Sequence, residues 1–173
     1  MADTDILGVT GSYYRTVLGT FAAVAAGNYA DNDVISNDAT EGAGDPTTFS
    51  GVVTLSRAAK IVGAKLTYSE DGILATSELF LFNALPTASE MDDNAAWGGI
   101  GAADEAKFLG SIAFSAAVDQ GDFSMSLPTT LTADVPFFVH AGATSNLYGI
   151  LVLRDAETNE TAGMTVNIRL YIE

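Results

Sequence analysis

Apolar residues recur at every second position through much of this chain, and three- and four-residue spacing is almost never sustained without Gly, Pro or a β-branched interruption. Alternation at period two sends successive side chains to opposite faces of an extended backbone, so the pattern predicts strands. They fall at 48–56, 59–69, 77–83, 107–115, 123–127, 135–141, 147–154 and 164–172. In the first, Phe49, Gly51, Val53 and Leu55 share a side; in the second, Val62, Ala64, Leu66 and Tyr68 do. Between 77 and 83, Leu79 and Leu81 alternate with Phe80 and Phe82, which makes both faces apolar and predicts a central strand covered on both sides. In the last strand Asn167 and Arg169 alternate with Val166, Ile168 and Leu170, leaving one face wet.

Turn formers punctuate these segments: Glu70-Asp71-Gly72, Asp119-Gln120-Gly121-Asp122, residues 142–146 and the nine-residue polar stretch 155–163. Their side chains bond locally to the backbone or, in glycine, accept positive φ. Short strands at near-regular spacing predict an all-β fold, an antiparallel β-sandwich of jelly-roll-like character with about eight strands. The strands on either side of 155–163 are expected to pair as a hairpin. The longest irregular stretch, 84–103, holds Pro86, the Asp92-Asp93-Asn94 cluster and the only tryptophan, with a short helical turn expected around Ala88–Met91. Residues 1–15 read as an N-terminal arm and 16–173 as one sandwich domain.

Length and composition agree with a single filled core: 173 residues, 48% of them hydrophobic, are ample for one domain. The apolar run 17–27 follows no basic cluster and is shorter than a bilayer requires, so neither a signal peptide nor a membrane span is expected. Charge narrows the partners. Seven Lys and Arg face 22 Asp and Glu, a formal net charge of −15, which opposes binding to nucleic acid and to anionic membrane surfaces. Net charge alone also predicts that copies of the chain repel one another and that salt helps them associate.

Candidate chemistry is sparse. There is no cysteine, hence no disulfide, thiolate nucleophile or Cys-based metal site. The single histidine, His140, shares a strand face with Phe138, and no G-x-S-x-G elbow accompanies it. Asp155-x-Glu157-x-Asn159 has the opening spacing of a calcium loop, but its sixth position is Glu160 rather than Gly and its twelfth is Val166 rather than Glu. Asp31-Asn32-Asp33 and Asp92-Asp93-Asn94 are acidic clusters of the same uninformative kind. Gly99-Ile100-Gly101 lacks the third glycine of a dinucleotide fingerprint, and no P-loop is present. No catalytic residue, metal ligand or cofactor is expected. Aromatic residues remain as interface candidates: Tyr13 and Tyr14 in the arm, and Trp97, which could equally fold back as a plug over the core.

Several segments in order carry a resemblance. Asn28–Asn37 (NYADNDVISN), Thr48–Val53 (TFSGVV), Ile61–Leu66 (IVGAKL), Leu81–Thr87 (LFNALPT), Asp93–Trp97 (DNAAW), Lys107–Phe114 (KFLGSIAF) and Asn146–Leu151 (NLYGIL) resemble small virion proteins of tailed bacteriophages. The resemblance implies a β-sandwich protein of the capsid decoration (cement) type, made in the host cytoplasm and placed on the capsid exterior. It also implies contact with the major capsid protein and association into a homo-oligomer such as a trimer. A carbohydrate-binding or host-adsorption module of the virion, using the Trp97 loop, is the alternative. No functional residue is carried over, because the matching positions read as strand cores and turns.

Overall fold

Alternation becomes a pair of antiparallel sheets. The structure, a computed structural model, describes residues 15–23, 28–37, 44–52, 58–130, 138–139, 146–159, 161 and 163–173. Strands β1 (Arg15–Ala22), β2 (Val34–Ile35), β3 (Thr47–Phe49), β4 (Ala58–Ala59), β5 (Ile61–Tyr68) and β6 (Ser77–Phe82) come first. A 3₁₀ turn at Glu105–Lys107 then leads into β7 (Phe108–Phe114) and β8 (Val118–Asp119). The remaining strands are β9 (Ser124–Ser126), β10 (Pro128–Thr130), β11 (Phe138–Val139), β12 (Leu147–Leu153) and β13 (Thr165–Ile172). One sheet has the order β1-β13-β5-β9-β8 and the other β10-β7-β6-β12-β2, with β3 also pairing β12; β4 and β11 form a separate ladder. The protein is an all-β sandwich.

The main core lies between the sheets. Val17 and Phe21 of β1, Ala64, Leu66 and Tyr68 of β5, and Val166, Ile168 and Leu170 of β13 belong to one buried cluster with Phe49, Leu79, Leu81, Ile112, Phe114, Leu151 and Leu153 from the other sheet. Burying each such Leu, Ile or Phe is worth about 1.5–3 kcal/mol relative to leaving it in water, enough collectively to offset chain ordering. Close approach of the sheets constrains β1, where a Cβ at Gly19 would lie 2.6 Å from the Phe49 ring. β6 is central, between β7 and β12, and both its faces are covered: Leu79 and Leu81 face the main core, while Phe80 and Phe82 enter a second cluster with Val34, Ile150 and Val152.

Three expectations are corrected. The segments flanking 155–163 do not pair as a hairpin: β12 lies between β6 and β2 in one sheet, β13 between β1 and β5 in the other. Both strands are apolar enough on their inner sides to need a partner sheet across the core, and splitting them supplies it. In β5 the register slips, Tyr171 facing Gly63 and Ile172 facing Ile61, so the extra residue Val62 forms a bulge and Ile61 turns inward in its place. No helical turn forms at Ala88–Met91; the 3₁₀ turn is at Glu105–Lys107. β1, unassigned by the strand predictions, alternates buried Val17, Gly19 and Phe21 with exposed Thr16, Leu18 and Thr20. Of the predicted strand 135–141, only Phe138–Val139 lies within the described residues.

Candidate functional site

The loop from Asn83 to Lys107 adds a layer over the outer face of the six-stranded sheet. Met91, Trp97, Ile100 and Phe108 pack on the second cluster, covering Phe80 and Phe82. A long loop with few apolar residues needs polar anchors, and Asp104 is the strongest. Its carboxylate is fully buried, accepting N–H bonds from Thr87 (2.9 Å), Ala88 (2.8 Å) and Ser89 (2.8 Å), the Ser89 hydroxyl (2.9 Å) and the Lys107 ammonium (2.7 Å). Burial opposes ionisation of this group. Lys107 and the convergent donors outweigh it, holding the Asp104 carboxyl well below the usual carboxylate range. Ser89 Oγ in turn accepts from Gly101 N–H at 3.1 Å, and the chain there is so close that a Cβ at Gly101 would lie 2.3 Å from the Ala88 carbonyl oxygen.

The segment before Trp97 is laced to β2. Asn94 N–H donates to the Val34 carbonyl, Val34 N–H to the Ala95 carbonyl and Trp97 N–H to the Asn32 carbonyl, at 2.9, 2.9 and 2.7 Å. Asp93 accepts from the Tyr29 hydroxyl and Ser36 N–H, both at 2.7 Å, and Asp92 from Gly44 N–H at 2.9 Å. These bonds set Trp97 over Phe80, ring centroids 4.8 Å apart and planes inclined by 37°. Arg154 reaches the same ring, its guanidinium carbon 5.5 Å from the centroid, while bonding Glu78 at 2.7 Å and the Asn32 side chain. Trp97 is half-buried: its ring covers the outer cluster of the six-stranded sheet, rather than an end of the main core.

The other acidic clusters also brace loops. Glu157 accepts from Leu74 N–H (2.8 Å), Thr158 N–H (2.8 Å) and Asn159 N–H (3.1 Å), and the Asn159 amide donates to the Gly72 carbonyl. The Thr76 hydroxyl and N–H both donate to Asp155 and hold its carboxyl below the ordinary range. Asp33 accepts from Ala30 N–H at 2.7 Å. Among the described residues no group of three or more His, Asp or Glu side chains is placed to hold a metal ion. A groove of about 390 Å³ runs past Thr20, Asn37, Asp45, Thr47 and Leu85, with no pair of groups suited to acid–base work in its lining. The Thr47 hydroxyl is buried and has no hydrogen-bond partner among the described residues.

Of the residues singled out in the sequence, Trp97 joins Phe80 and Arg154 at one surface, whereas Tyr13, Tyr14 and His140 lie outside the described residues. Asp104 was not among them. Its only sequence signal is Lys107 three positions on, a common surface pattern that does not distinguish a buried hub. No helix among the described residues is long and apolar enough to cross a membrane. Compared with family models, with curated proteins and with solved structures, the chain finds no match.

Proposed function

We propose that the protein is a non-enzymatic structural component of a virion, a decoration protein that binds the outside of a tailed-phage head through the major capsid protein and stabilises the assembled shell. The observation that carries this reading is the use made of the acidic side chains. Asp33, Asp92, Asp93, Asp104 and Glu157 each accept backbone N–H groups and hold loops in place. A surface fixed in this way loses little freedom when it docks, which favours binding. Such a protein stabilises a particle by binding the assembled state only. The segments from Asn28 to Leu151 that resemble phage virion proteins support the same reading, with a homo-oligomer as the decorating unit and Tyr13 and Tyr14 as contact residues.

The test is addition of purified protein to heads that lack it. Saturable occupancy and greater resistance of the heads to heat or osmotic shock are expected; absence of both overturns the proposal. The partial exposure of Trp97 favours one second reading, a carbohydrate-binding or adsorption module. Retention on an immobilised polysaccharide that Trp97→Ala abolishes, without binding to heads, would establish it instead.

A further inference from the structure

The strand register assigns each residue of the five-stranded sheet to one of its two faces. Leu18 of β1 pairs Arg169 of β13 and Arg169 pairs Lys65 of β5, in one row on the side away from buried Val17, Ile168 and Leu66. Thr67, two positions along β5 from Lys65, pairs Met125 of β9, and Met125 pairs Val118 of β8, so Val118 stands on the same outward side at the far edge. Tyr171, two positions from Arg169, lies there too, its ring against Gly63 opposite, where a Cβ would come within 3.1 Å of Tyr171 Cδ2. Arg15 and Asp119 belong to the other side, opposite buried Ile172 and Ser124.

This outward face differs from the rest of the molecule in two ways. Its strand positions include no carboxylate, in a chain with 22 Asp and Glu against 7 Lys and Arg. It is also uncovered: the outer face of the six-stranded sheet carries the 83–107 loop, whereas here Leu18 and Val118 are exposed at 51% and 58%, and Arg169 is exposed on a strand between them. Like charges directly opposite on neighbouring strands destabilise a sheet, and neither Lys65 nor Arg169 makes a salt bridge among the described residues. A partner that brings carboxylates to the two cations relieves that repulsion and covers the apolar surface. Arg, Tyr and Met together, with Asp and Glu left out, is also the composition of the buried centre of a protein interface.

Building on the decoration reading, we propose that this face docks on the major capsid protein, whose contacting surface presents carboxylates to Lys65 and Arg169 and apolar side chains to Leu18 and Val118. Charge complementarity selects a protein surface as the occupant. Two or three carboxylates satisfy the two cations, whereas a polyanion or an anionic membrane brings many more charges against a net charge of −15. A second copy offering the same face is opposed by its own Lys65 and Arg169.

Binding of the purified chain to heads that lack it is the assay. Lys65→Gln with Arg169→Gln is expected to bind about tenfold or more weakly, yet to melt no lower than the wild type because the opposed cations are gone. Lys65→Arg with Arg169→Lys keeps both charges and should bind like the wild type. Leu85→Glu with Ala106→Glu makes the same change in net charge at exposed positions of the loop on the other sheet, and should leave binding nearly unchanged. Wild-type affinity in the glutamine variant, or an equal loss in the loop variant, would overturn the proposal and leave the decoration reading standing. Heads that take up no wild-type protein would overturn both. Retention of the wild type on dextran sulfate, lost in the glutamine variant and without binding to heads, would assign the face to a polyanion instead.

Discussion

The Asp104 carboxylate, with none of its side chain exposed, lies 2.7 Å from a Lys107 ammonium that keeps 24% of its side-chain surface. The pair is asymmetric: losing the acid leaves a cation that water can still solvate, while losing the lysine leaves a buried anion held only by backbone N–H groups and the Ser89 hydroxyl. Asp104→Asn is therefore expected to lower stability by about 2–3 kcal/mol, chiefly through weaker bonds to Thr87, Ala88 and Ser89. The same group sets an acid limit. Its folded pKa lies below its unfolded value, so the unfolded chain binds protons first and stability rises with pH through that range. The contribution is complete above the ordinary carboxylate pKa of about 3.9 and fades as the pH falls below it toward the folded value. Urea denaturation at neutral and acid pH should show a smaller loss in Asp104→Asn than in the wild type; equal losses would place the acid sensitivity elsewhere.

Trp97→Ala should leave the sandwich folded and cost about 2 kcal/mol, less than the ~3–5 kcal/mol of a fully buried aromatic, because Trp97 is half-exposed and its loop is tied independently by Asn94 and Asp93. Trp97→Phe should recover much of the loss by keeping a ring against Phe80. A thermal melt of the alanine variant indistinguishable from wild type would mean that the ring contact contributes nothing to the fold.

Thr47→Val is expected to stabilise the protein by about 1 kcal/mol. The valine keeps the shape beside Gly19 and Phe49 while removing a buried hydroxyl that has no partner among the described residues. A loss of stability on chemical denaturation would show that the hydroxyl is satisfied in solution.

Strand positions were legible wherever alternation was strict. β6, β12 and β13 stand close to their predicted limits, and the two-sided apolar pattern of Leu79–Phe82 was a sound guide to a central strand. Pairing was harder to read: the polar run 155–163 has the composition of a hairpin turn, yet it carries the chain from one sheet to the other, and only the far partners of β12 and β13 decide between the two. Small residues at Gly19, Ala22 and Ala23 dilute the alternation of β1 and hide it from the strand pattern; at Gly19 the small residue is required because the Phe49 ring packs against it. The acidic clusters were legible as composition and not as structure. Asp104 and Glu157 are distinguished by the N–H groups that meet them: those on Asp104 come from residues 15 to 17 positions away, and Glu157 adds to its neighbours Thr158 and Asn159 the N–H of Leu74, 83 positions away.

The placement of β13 has a consequence for the growing chain. β1 is made early and β5 soon after, yet neither pairs with the other: both wait for residues 165–172, which lie between them and match Arg15 with Ile172 across almost the whole sequence. A nascent polypeptide that has passed residue 160 still presents two eight-residue strands with open hydrogen-bonding edges and no common neighbour. Contacts of such long sequence separation form slowly, so the sheet is completed only after β13 clears the ribosome, and until then the edges of β1 and β5 that β13 will cover are an aggregation hazard.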